Sequence, residues 1–177
     1  MCSPRVSFLS RAARKTILLE TEFKAEYVES LASCVYEVEN IGGAVASGSF
    51  RTEGMIVIPC SIKSLSAIAN SYNENLLVRA ADVTLKERRK LVLVVRETPL
   101  HRGHLELMLR ASDMGAIIFP PAPAFYHVPK TMEGLIDQTV GKILDLFEID
   151  HNLFKKWGSE DGKRASDLLK MERVEKR

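Results

Sequence analysis

The sequence predicts an α/β fold built on a parallel sheet. Three short apolar runs have the length and composition of strands that are buried on both faces: Gly54 to Pro59, Lys90 to Val95 and Gly115 to Pro120. The segments between these runs carry the 3.6-residue periodicity of amphipathic helices. Strands that alternate with helices of this length favour a parallel sheet with right-handed crossovers.

The same periodicity predicts four helices, at Ser10 to Leu19, Leu76 to Arg88, Leu105 to Met114 and Thr131 to Phe147. Four residues of the second helix are expected to face the core: Leu76, Ala80, Val83 and Leu85. Thr131 is the predicted N-cap of the last helix. The buried stripe expected there consists of Leu135, Ile136, Val140, Ile143, Leu144 and Phe147.

Composition narrows the class of protein. With 177 residues, 46% of them hydrophobic and 27% charged, the chain is expected to form a soluble globular domain with a large core. A net charge of +2 is too small to indicate a nucleic-acid binder. No apolar run approaches the roughly 18 residues that span a membrane. We expect a cytoplasmic protein, or a mitochondrial one if the basic, acid-free stretch before Glu20 belongs to a eukaryotic transit segment.

Cysteine and histidine spacing does not predict a metal site. The three cysteines, Cys2, Cys34 and Cys60, are an odd number without metal-ligand spacing and are expected to be reduced thiols. Cys60 differs from the others because it lies at a predicted strand end. The four histidines form neither HxxxH nor HExxH.

Polar residues that can bind anions follow the predicted strands. Ser61 or Ser64 can cap a helix that opens after the first strand, where unpaired backbone N–H groups would hold an anion or a polar ring edge. Arg96 and Glu97 come directly after the second strand, and Tyr126 follows the proline-rich segment after the third. Each feature taken alone also fits an ordinary helix cap or a solvated surface. Their repetition at successive strand ends favours a cofactor site, because ligands of parallel α/β sheets bind at the carboxyl ends of the strands.

Three long stretches of the chain closely resemble the UbiX-type flavin prenyltransferases: GSFRTEGMIVIPCSIKSLSAIA, LLVRAADVTLKERRKLVLVVRETPL and PPAPAFYHVP. The resemblance runs from about Ser10 to Trp157. It implies a three-layer, flavodoxin-like Rossmann sheet that binds FMN, needs no metal and usually assembles as a homododecamer. Family members transfer a dimethylallyl group from dimethylallyl phosphate to N5 and C6 of reduced FMN. The product, prenylated FMN, serves UbiD-type decarboxylases in ubiquinone biosynthesis or in aromatic-acid decarboxylation.

The resemblance also implies roles for individual residues. Those that match the flavin-binding positions of the family are Ser10, Ser61, Ile62, Lys63, Ser64 and Arg96. Those that match the group holding dimethylallyl phosphate are Lys86, Arg96, Tyr126 and Lys142, with Arg79 and Glu97 at positions near subunit boundaries. Glu20 matches an acid that moves a proton during ring closure. The catalytic set that the resemblance implies is Glu20, Glu97 and Lys86. Lys142 is arginine in several relatives, so its charge is retained but the bidentate fork is not.

One segment of the family has no counterpart here. Relatives carry a strand, a GASGA-like loop that cradles the FMN phosphate and a helix before the part that matches Ser10. We therefore expect an N-terminally truncated version of the fold, with an FMN-binding domain over residues 1–157 and a charged C-terminal tail over 158–177.

Three functions remain open from the sequence. The first is an active flavin prenyltransferase. The second is a non-catalytic or fragmentary FMN-binding relative, suggested by the absent glycine loop. The third is a flavin-dependent decarboxylase of the same superfamily, which would favour a histidine base after the first helix and an Asn-containing PxMN-type loop. This chain has Ser10-Arg11 and PCSIKS at those places.

Overall fold

The computed structural model describes residues 5–125 and 128–155, which fall into two compact units divided between Pro121 and Ala122. Tyr126 and the predicted tail over 158–177 lie outside the described residues. The first unit opens with β1 (Val6–Ser7), α1 (Arg11–Glu20), α2 (Ala25–Ser30) and β2 (Cys34–Val35). A 3-10 helix at Ala44–Ala46 follows. Then come β3 (Gly54–Cys60), α3 (Ile62–Ala69), α4 (Leu76–Lys86), β4 (Lys90–Val95), α5 (Arg102–Asp113) and β5 (Ile117–Ile118).

All strand pairs described in the first unit are parallel, as predicted. One sheet has the order β3-β4-β5, with Met55 opposite Leu91 and Val92 opposite Ile117. The other pairs β1 with β2, so that Val6 lies opposite Cys34. The parallel α/β class is therefore confirmed.

The three predicted strands differ in burial. For Gly115 to Pro120 the prediction is wrong, because the strand observed there is only β5 and both of its residues are half-buried. From Leu91 to Val95 every residue of β4 is buried, which confirms the prediction for that strand. The same prediction for β3 is wrong, because Ile56 and Ile58 are 38% and 58% exposed. Residues two apart on a strand share a face, so one face of β3 is open. β3 pairs with a strand on one side only, whereas β4 lies between β3 and β5.

The core of the first unit lies where α3, α4 and α5 pack on β3 and β4. Its fully buried side chains include Leu65, Ile68, Leu91, Leu93 and Cys60. The four core residues predicted for α4, Leu76, Ala80, Val83 and Leu85, are all buried. A second cluster joins Leu76 and Ala80 of α4 to Val6 and Phe8, and so packs β1 and its following loop on α4. Truncating one such core leucine to alanine costs about 2–5 kcal/mol.

Local backbone chemistry moves the helix ends by one to three residues from their predicted positions. α4 ends at Lys86 rather than Arg88, because Arg88 adopts a positive φ of 57°. α5 begins at Arg102 rather than Leu105, because Nδ1 of His101 accepts the N–H of Gly103 at 3.1 Å and caps the helix. Gly115 follows α5 with φ of 105°, a conformation that glycine adopts without strain.

α1 is confirmed as a helix, but none of its residues is buried. Ser10 is its N-cap, since the Ser10 hydroxyl accepts the N–H of Ala13 at 3.1 Å. Leu18 and Leu19 near its end are each 71% exposed. The apolar face of α1 is therefore not covered within the described chain.

The second unit contains α6 (Met132–Leu146), capped by the Thr131 hydroxyl as predicted. Ile143 is buried, but Ile136 is 58% exposed, so the predicted apolar stripe is wrong at that position. The buried face of α6 instead includes Gln138 and Gly141, because His151 and Phe154 pack against Gly141. None of the described helices is long and apolar enough to cross a membrane.

Candidate functional site

The carboxyl ends of β3 and β4 lie side by side and form the centre of the candidate site. Cys60 pairs with Val95 at the end of the ladder, and the N–H of Arg96 donates to the carbonyl of Cys60 at 3.1 Å. Ser61 and Arg96 therefore leave the sheet from adjacent positions. The sequence predicted this juxtaposition of two strand ends.

The N-terminus of α3 presents hydrogen-bond donors at this edge. The Ser61 hydroxyl caps the helix by accepting the N–H of Ser64 at 3.3 Å. The two serine hydroxyls are also 3.3 Å apart. The N–H groups of Ile62 and Lys63, in the first turn, have no partner within the helix. The positive end of the helix dipole adds to their attraction for an anion or for the acceptor atoms of a polar ring.

Arg96 is the cation at this edge. Its side chain is exposed, and within the residues described no carboxylate pairs with its guanidinium. The neighbouring Glu97 turns back on its own loop, where its carboxylate accepts the N–H of Thr98 at 3.1 Å. The Lys63 ammonium lies 3.2 Å from the Glu74 carboxylate, so Lys63 offers its backbone N–H to the site while its charge is paired.

Lys86 and Arg79 lie elsewhere. α4 ends at Lys86, shortly before β4 begins at Lys90, so Lys86 is near the amino edge of the sheet. The 6 residues of β4 span about 20 Å at the usual rise of a strand. A single chain therefore does not bring Lys86 to Arg96. Arg79, midway along α4, donates through Nε to the carbonyl of Ala46 at 3.2 Å and pairs with Asp82 at 3.3 Å.

A cluster at the amino edge, made of Gly48, Lys86, Glu87 and Arg89, was missed by sequence reasoning. The Lys86 ammonium pairs with the Glu87 carboxylate. Arg89 donates to the carbonyls of Gly48 and Phe50, both at 2.7 Å. A Cβ at Gly48 would lie 2.1 Å from Oε1 of Glu87 and 2.9 Å from Nζ of Lys86, so the ion pair occupies the space that a side chain would need.

The cluster changes the acidity of Glu87. The hydrogen bond from Lys86 and then its charge lower the pKa of Glu87, with a further contribution from Arg89. Glu87 therefore stays ionised and holds the Lys86 ammonium next to the loop at Gly48. The adjacent Lys-Glu-Arg-Arg residues were visible in the sequence, but only the fold shows that this loop meets them.

Ser10 and Glu20 stand at opposite ends of α1. The helix has 10 residues and is therefore about 15 Å long. Ser10 follows β1 at the carboxyl end of the two-stranded sheet. Glu20 is exposed at the far end of the helix. The predicted flavin ligand and the predicted acid thus do not meet within one chain.

In the second unit, Lys142 lies on the exposed side of α6, with its ammonium 3.9 Å from Oδ2 of Asp145. Tyr126, predicted to contact the same phosphate, is outside the described residues. The roles of these two residues stay predictions.

Cys60 is buried directly below the candidate site. Burial raises the pKa of its thiol to about 12, so Cys60 stays protonated at neutral pH. The Cys60 side chain therefore packs in the core rather than acting as a nucleophile. Among residues 5–125 and 128–155, no group of three or more His, Cys, Asp or Glu is placed to hold a metal ion.

These features define a class of protein, a parallel α/β fold with helix N-terminal amides and an arginine at the carboxyl edge of its sheet. The Flavoprotein family model matches residues 8–156, and the chain belongs to this family. It is 55% identical to the flavin prenyltransferase UbiX of Thauera aromatica over 158 residues, covering 89% of this chain and 81% of that protein. It is 53% identical to the flavin prenyltransferase UbiX of Escherichia coli K12 over 151 residues, covering 84% and 80%.

Two solved structures of UbiX-type proteins are also similar to this chain. A crystal structure of AnUbiX (PadA1) in complex with FMN and dimethylallyl pyrophosphate superposes with a TM-score of 0.85 and 48% identity, covering 87% of this chain and 82% of that one. A dodecameric FMN-dependent UbiX-like decarboxylase from Escherichia coli O157:H7 superposes with a TM-score of 0.84 and 45% identity, covering 87% and 83%. The predicted family and its Rossmann-like fold are therefore confirmed.

Proposed function

We propose that this chain is a flavin prenyltransferase, which transfers a dimethylallyl group from dimethylallyl phosphate to reduced FMN and so makes prenylated FMN. The observation that carries the proposal is the carboxyl edge of the sheet, where the free amides of α3 adjoin Arg96. The chain also has the other three cations of the proposed phosphate site, Arg79, Lys86 and Lys142. The identity of 55% to a UbiX enzyme supports the same activity.

The donors at the carboxyl edge fit a flavin. The N–H groups of Ile62 and Lys63 can donate to the carbonyl and nitrogen acceptors along the polar edge of the isoalloxazine ring. Ser61, Ser64 and Ser10 add hydroxyls, which can donate or accept, and Arg96 adds positive charge. When bound in its reduced form, FMN supplies the nucleophilic ring that accepts the prenyl group.

The cations are proposed to hold the phosphate of the donor. Breaking the allylic C–O bond leaves negative charge on the departing phosphate. Arg96, Arg79, Lys86 and Lys142 stabilise that charge, and Tyr126 donates a hydrogen bond to it. Their stabilisation is larger for the departing phosphate than for the intact ester, so it lowers the barrier rather than only tightening binding.

Two acids complete the proposed catalytic set. Glu20 carries the proton that must move when the new ring closes, at its carboxylate oxygen. Glu97 holds the loop after β4, through its contact with the N–H of Thr98, and so orients Arg96. Since Glu20 lies far from Ser10 in one chain, and Lys86 lies far from Arg96, the complete site is proposed to form between copies of the chain.

The proposed assembly is a homododecamer, and the dodecameric UbiX-like decarboxylase of Escherichia coli O157:H7 supports it. Exposed apolar side chains on α1 and α2, among them Leu18, Leu19 and Tyr27, support contacts between copies. The proposed recipient of the product is a UbiD-type decarboxylase, and the proposed compartment is the cytoplasm.

The first test is titration of the purified chain with FMN, with and without dimethylallyl phosphate, followed by quenching of flavin fluorescence. Transfer is then assayed with reduced FMN, and the extracted flavin is identified by its mass and absorbance. We expect FMN to bind and to be prenylated. Binding without transfer would support the non-catalytic alternative, and release of carbon dioxide from an aromatic or cysteine-derived acid would support the decarboxylase alternative.

Two variants test the catalytic assignment. Glu20→Gln and Lys86→Ala are each expected to abolish transfer while leaving the circular dichroism spectrum unchanged. Lys15→Ala, which removes another exposed lysine, is the matched control and should keep full activity. Unchanged activity in both Glu20→Gln and Lys86→Ala would contradict the proposed mechanism.

A further inference from the structure

A buried histidine in the second unit is joined to Asp145 of α6. The side chain of His151 is only 4% exposed. Its Nδ1 accepts the N–H of Leu153 at 3.3 Å, so in the neutral ring Nε2 carries the proton. Nε2 lies 3.2 Å from Oδ1 of Asp145 and can donate to it. His151 therefore fixes the orientation of the Asp145 carboxylate.

The backbone of α6 makes room for this arrangement. A Cβ at Gly141 would lie 2.6 Å from Cε1 of His151 and 2.5 Å from Cε1 of Phe154. Any residue other than glycine at 141 would thus displace the two rings. The packing of His151 and Phe154 on Gly141 keeps the histidine in place beside Asp145.

The other oxygen of Asp145 points to a lysine of the candidate site. Oδ2 lies 3.9 Å from Nζ of Lys142, one helical turn before Asp145. An exposed ion pair is usually weak, because both side chains lose rotamer freedom when they form it. Here the carboxylate is already held by a buried donor, so only the lysine has to be ordered.

We propose that Asp145, held by His151, is a positioning residue that directs the Lys142 ammonium to the phosphate of the prenyl donor. This inference rests on the proposed function, which assigns Lys142 to that phosphate. Lysine is a flexible point charge and lacks the planar, bidentate fork of arginine. A fixed carboxylate beside Lys142 supplies part of the orientation that the fork would otherwise provide.

The test measures KM for dimethylallyl phosphate and kcat in the FMN-loaded, full-length protein. Asp145→Asn is expected to raise KM by about fivefold, the factor that corresponds to about 1 kcal/mol, and also to lower kcat, because Lys142 is assigned to the departing phosphate as well as to the bound ester. His151→Leu should raise KM similarly, whereas His151→Gln, whose amide can still donate to Asp145, should restore a value near that of the wild type. In a Lys142→Ala background, Asp145→Asn should have no further effect, because the group that it positions is gone.

The opposite results would overturn the inference. An unchanged KM in Asp145→Asn would show that Lys142 needs no positioning. An equal rise in KM in the wild-type and Lys142→Ala backgrounds would show a structural effect that does not pass through Lys142. Thermal melts identify any variant that fails to fold, and in that case Asp145→Asn, which keeps the size of the side chain, decides the question.

Failure of the proposed function can be recognised separately. If the wild-type chain binds FMN but transfers no prenyl group, the same variants are compared by their affinity for inorganic phosphate. A fivefold loss in Asp145→Asn that disappears in the Lys142→Ala background would then support the positioning role without the transferase activity. The same affinity for phosphate in Asp145→Asn and the wild type would contradict it.

Discussion

The two edges of the three-stranded sheet present their charges in opposite ways. At the carboxyl edge, Arg96 has no carboxylate partner among the described residues, and the first-turn amides of α3 have no partner within the helix. At the amino edge, the Lys86 ammonium pairs with Glu87, and Arg89 donates to two loop carbonyls. One edge is open to a ligand, whereas the other has an internal partner for each of these cations.

This difference separates a structural function of basic residues from a ligand-binding one. A cation whose hydrogen bonds are satisfied internally is already ordered before a ligand binds. A cation without such a partner depends on a ligand to satisfy it. Because β4 keeps the two edges apart, Arg96 and Lys86 can serve one phosphate only if they come from different copies of the chain.

The largest predicted effect comes from removing the cation at each edge of the sheet. Arg96→Ala and Lys86→Ala are each expected to lower the transfer rate by about 100-fold or more, because each removes a cation that is proposed to stabilise the departing phosphate. If the two residues come from different copies, coexpression of the two variants should restore activity at about a quarter of the sites by random assortment in a symmetric oligomer. Turnover of the purified mixed assembly measures this recovery.

A mixed assembly with no recovered activity would show that Arg96 and Lys86 of one chain serve the same site. Full activity in the assembly of Lys86→Ala alone would show that Lys86 does not act on the phosphate. Assemblies of each variant alone, prepared in the same way, provide the baseline.

A smaller effect is expected from the helix caps, which separate stability from ligand binding. Ser61→Ala and Asn75→Ala remove the N-caps of α3 and α4, whose oxygens accept the N–H of Ser64 and of Val78. Each should lower the free energy of unfolding by about 1 kcal/mol. Only Ser61→Ala should also weaken FMN binding, by about fivefold for one lost hydrogen bond. Denaturant unfolding and FMN titration measure the two quantities.

Equal FMN affinity in the two cap variants would mean that the Ser61 hydroxyl acts on the helix alone and not on the flavin.

The smallest effect concerns the ion pair at the amino edge. Lys86 lowers the pKa of Glu87 below its usual value of 4.5. The stabilisation from this pair is therefore fully present above about pH 4.5 and is lost as the pH falls through the lowered pKa of the folded state. Glu87→Gln should reduce the melting temperature slightly at pH 6, and the difference from the wild type should vanish at acidic pH. A difference that grew on acidification would contradict this assignment.

The sequence allowed the parts of the fold that depend on local periodicity to be predicted. β4 was predicted with the bounds observed, and the N-cap of α6 was predicted at Thr131. The cap of α3 was predicted as Ser61 or Ser64, and the structure shows Ser61. These features depend on side chains close together in the chain. The open face of β3 could not be predicted in this way, because an apolar strand has the same sequence pattern whether or not another element covers it.

The candidate site also has a part that the sequence predicts and a part that depends on contacts between distant segments. The neighbouring strand ends at Ser61 and Arg96 follow from parallel topology, so their proximity was predictable. The contact between Gly48 and Glu87 was not, since it joins a loop to a helix end far along the chain. The position of Lys86 at the amino edge follows from the predicted order of α4 and β4, but its ion pair with Glu87 was not predicted. The proposed contribution of Glu20 and Lys86 to one site depends on other copies of the chain, which a single sequence does not describe.

Gly48 also links the size of a loop residue to the charges beside it. The Glu87 carboxylate fills the volume in which any other residue at 48 would place its first side-chain carbon. The atoms met there are the ends of the flexible Glu87 and Lys86 side chains, so a new side chain would turn them aside rather than move the backbone. A bulkier residue at 48 is therefore expected to loosen the ion pair and to free the Lys86 ammonium while the fold stays the same.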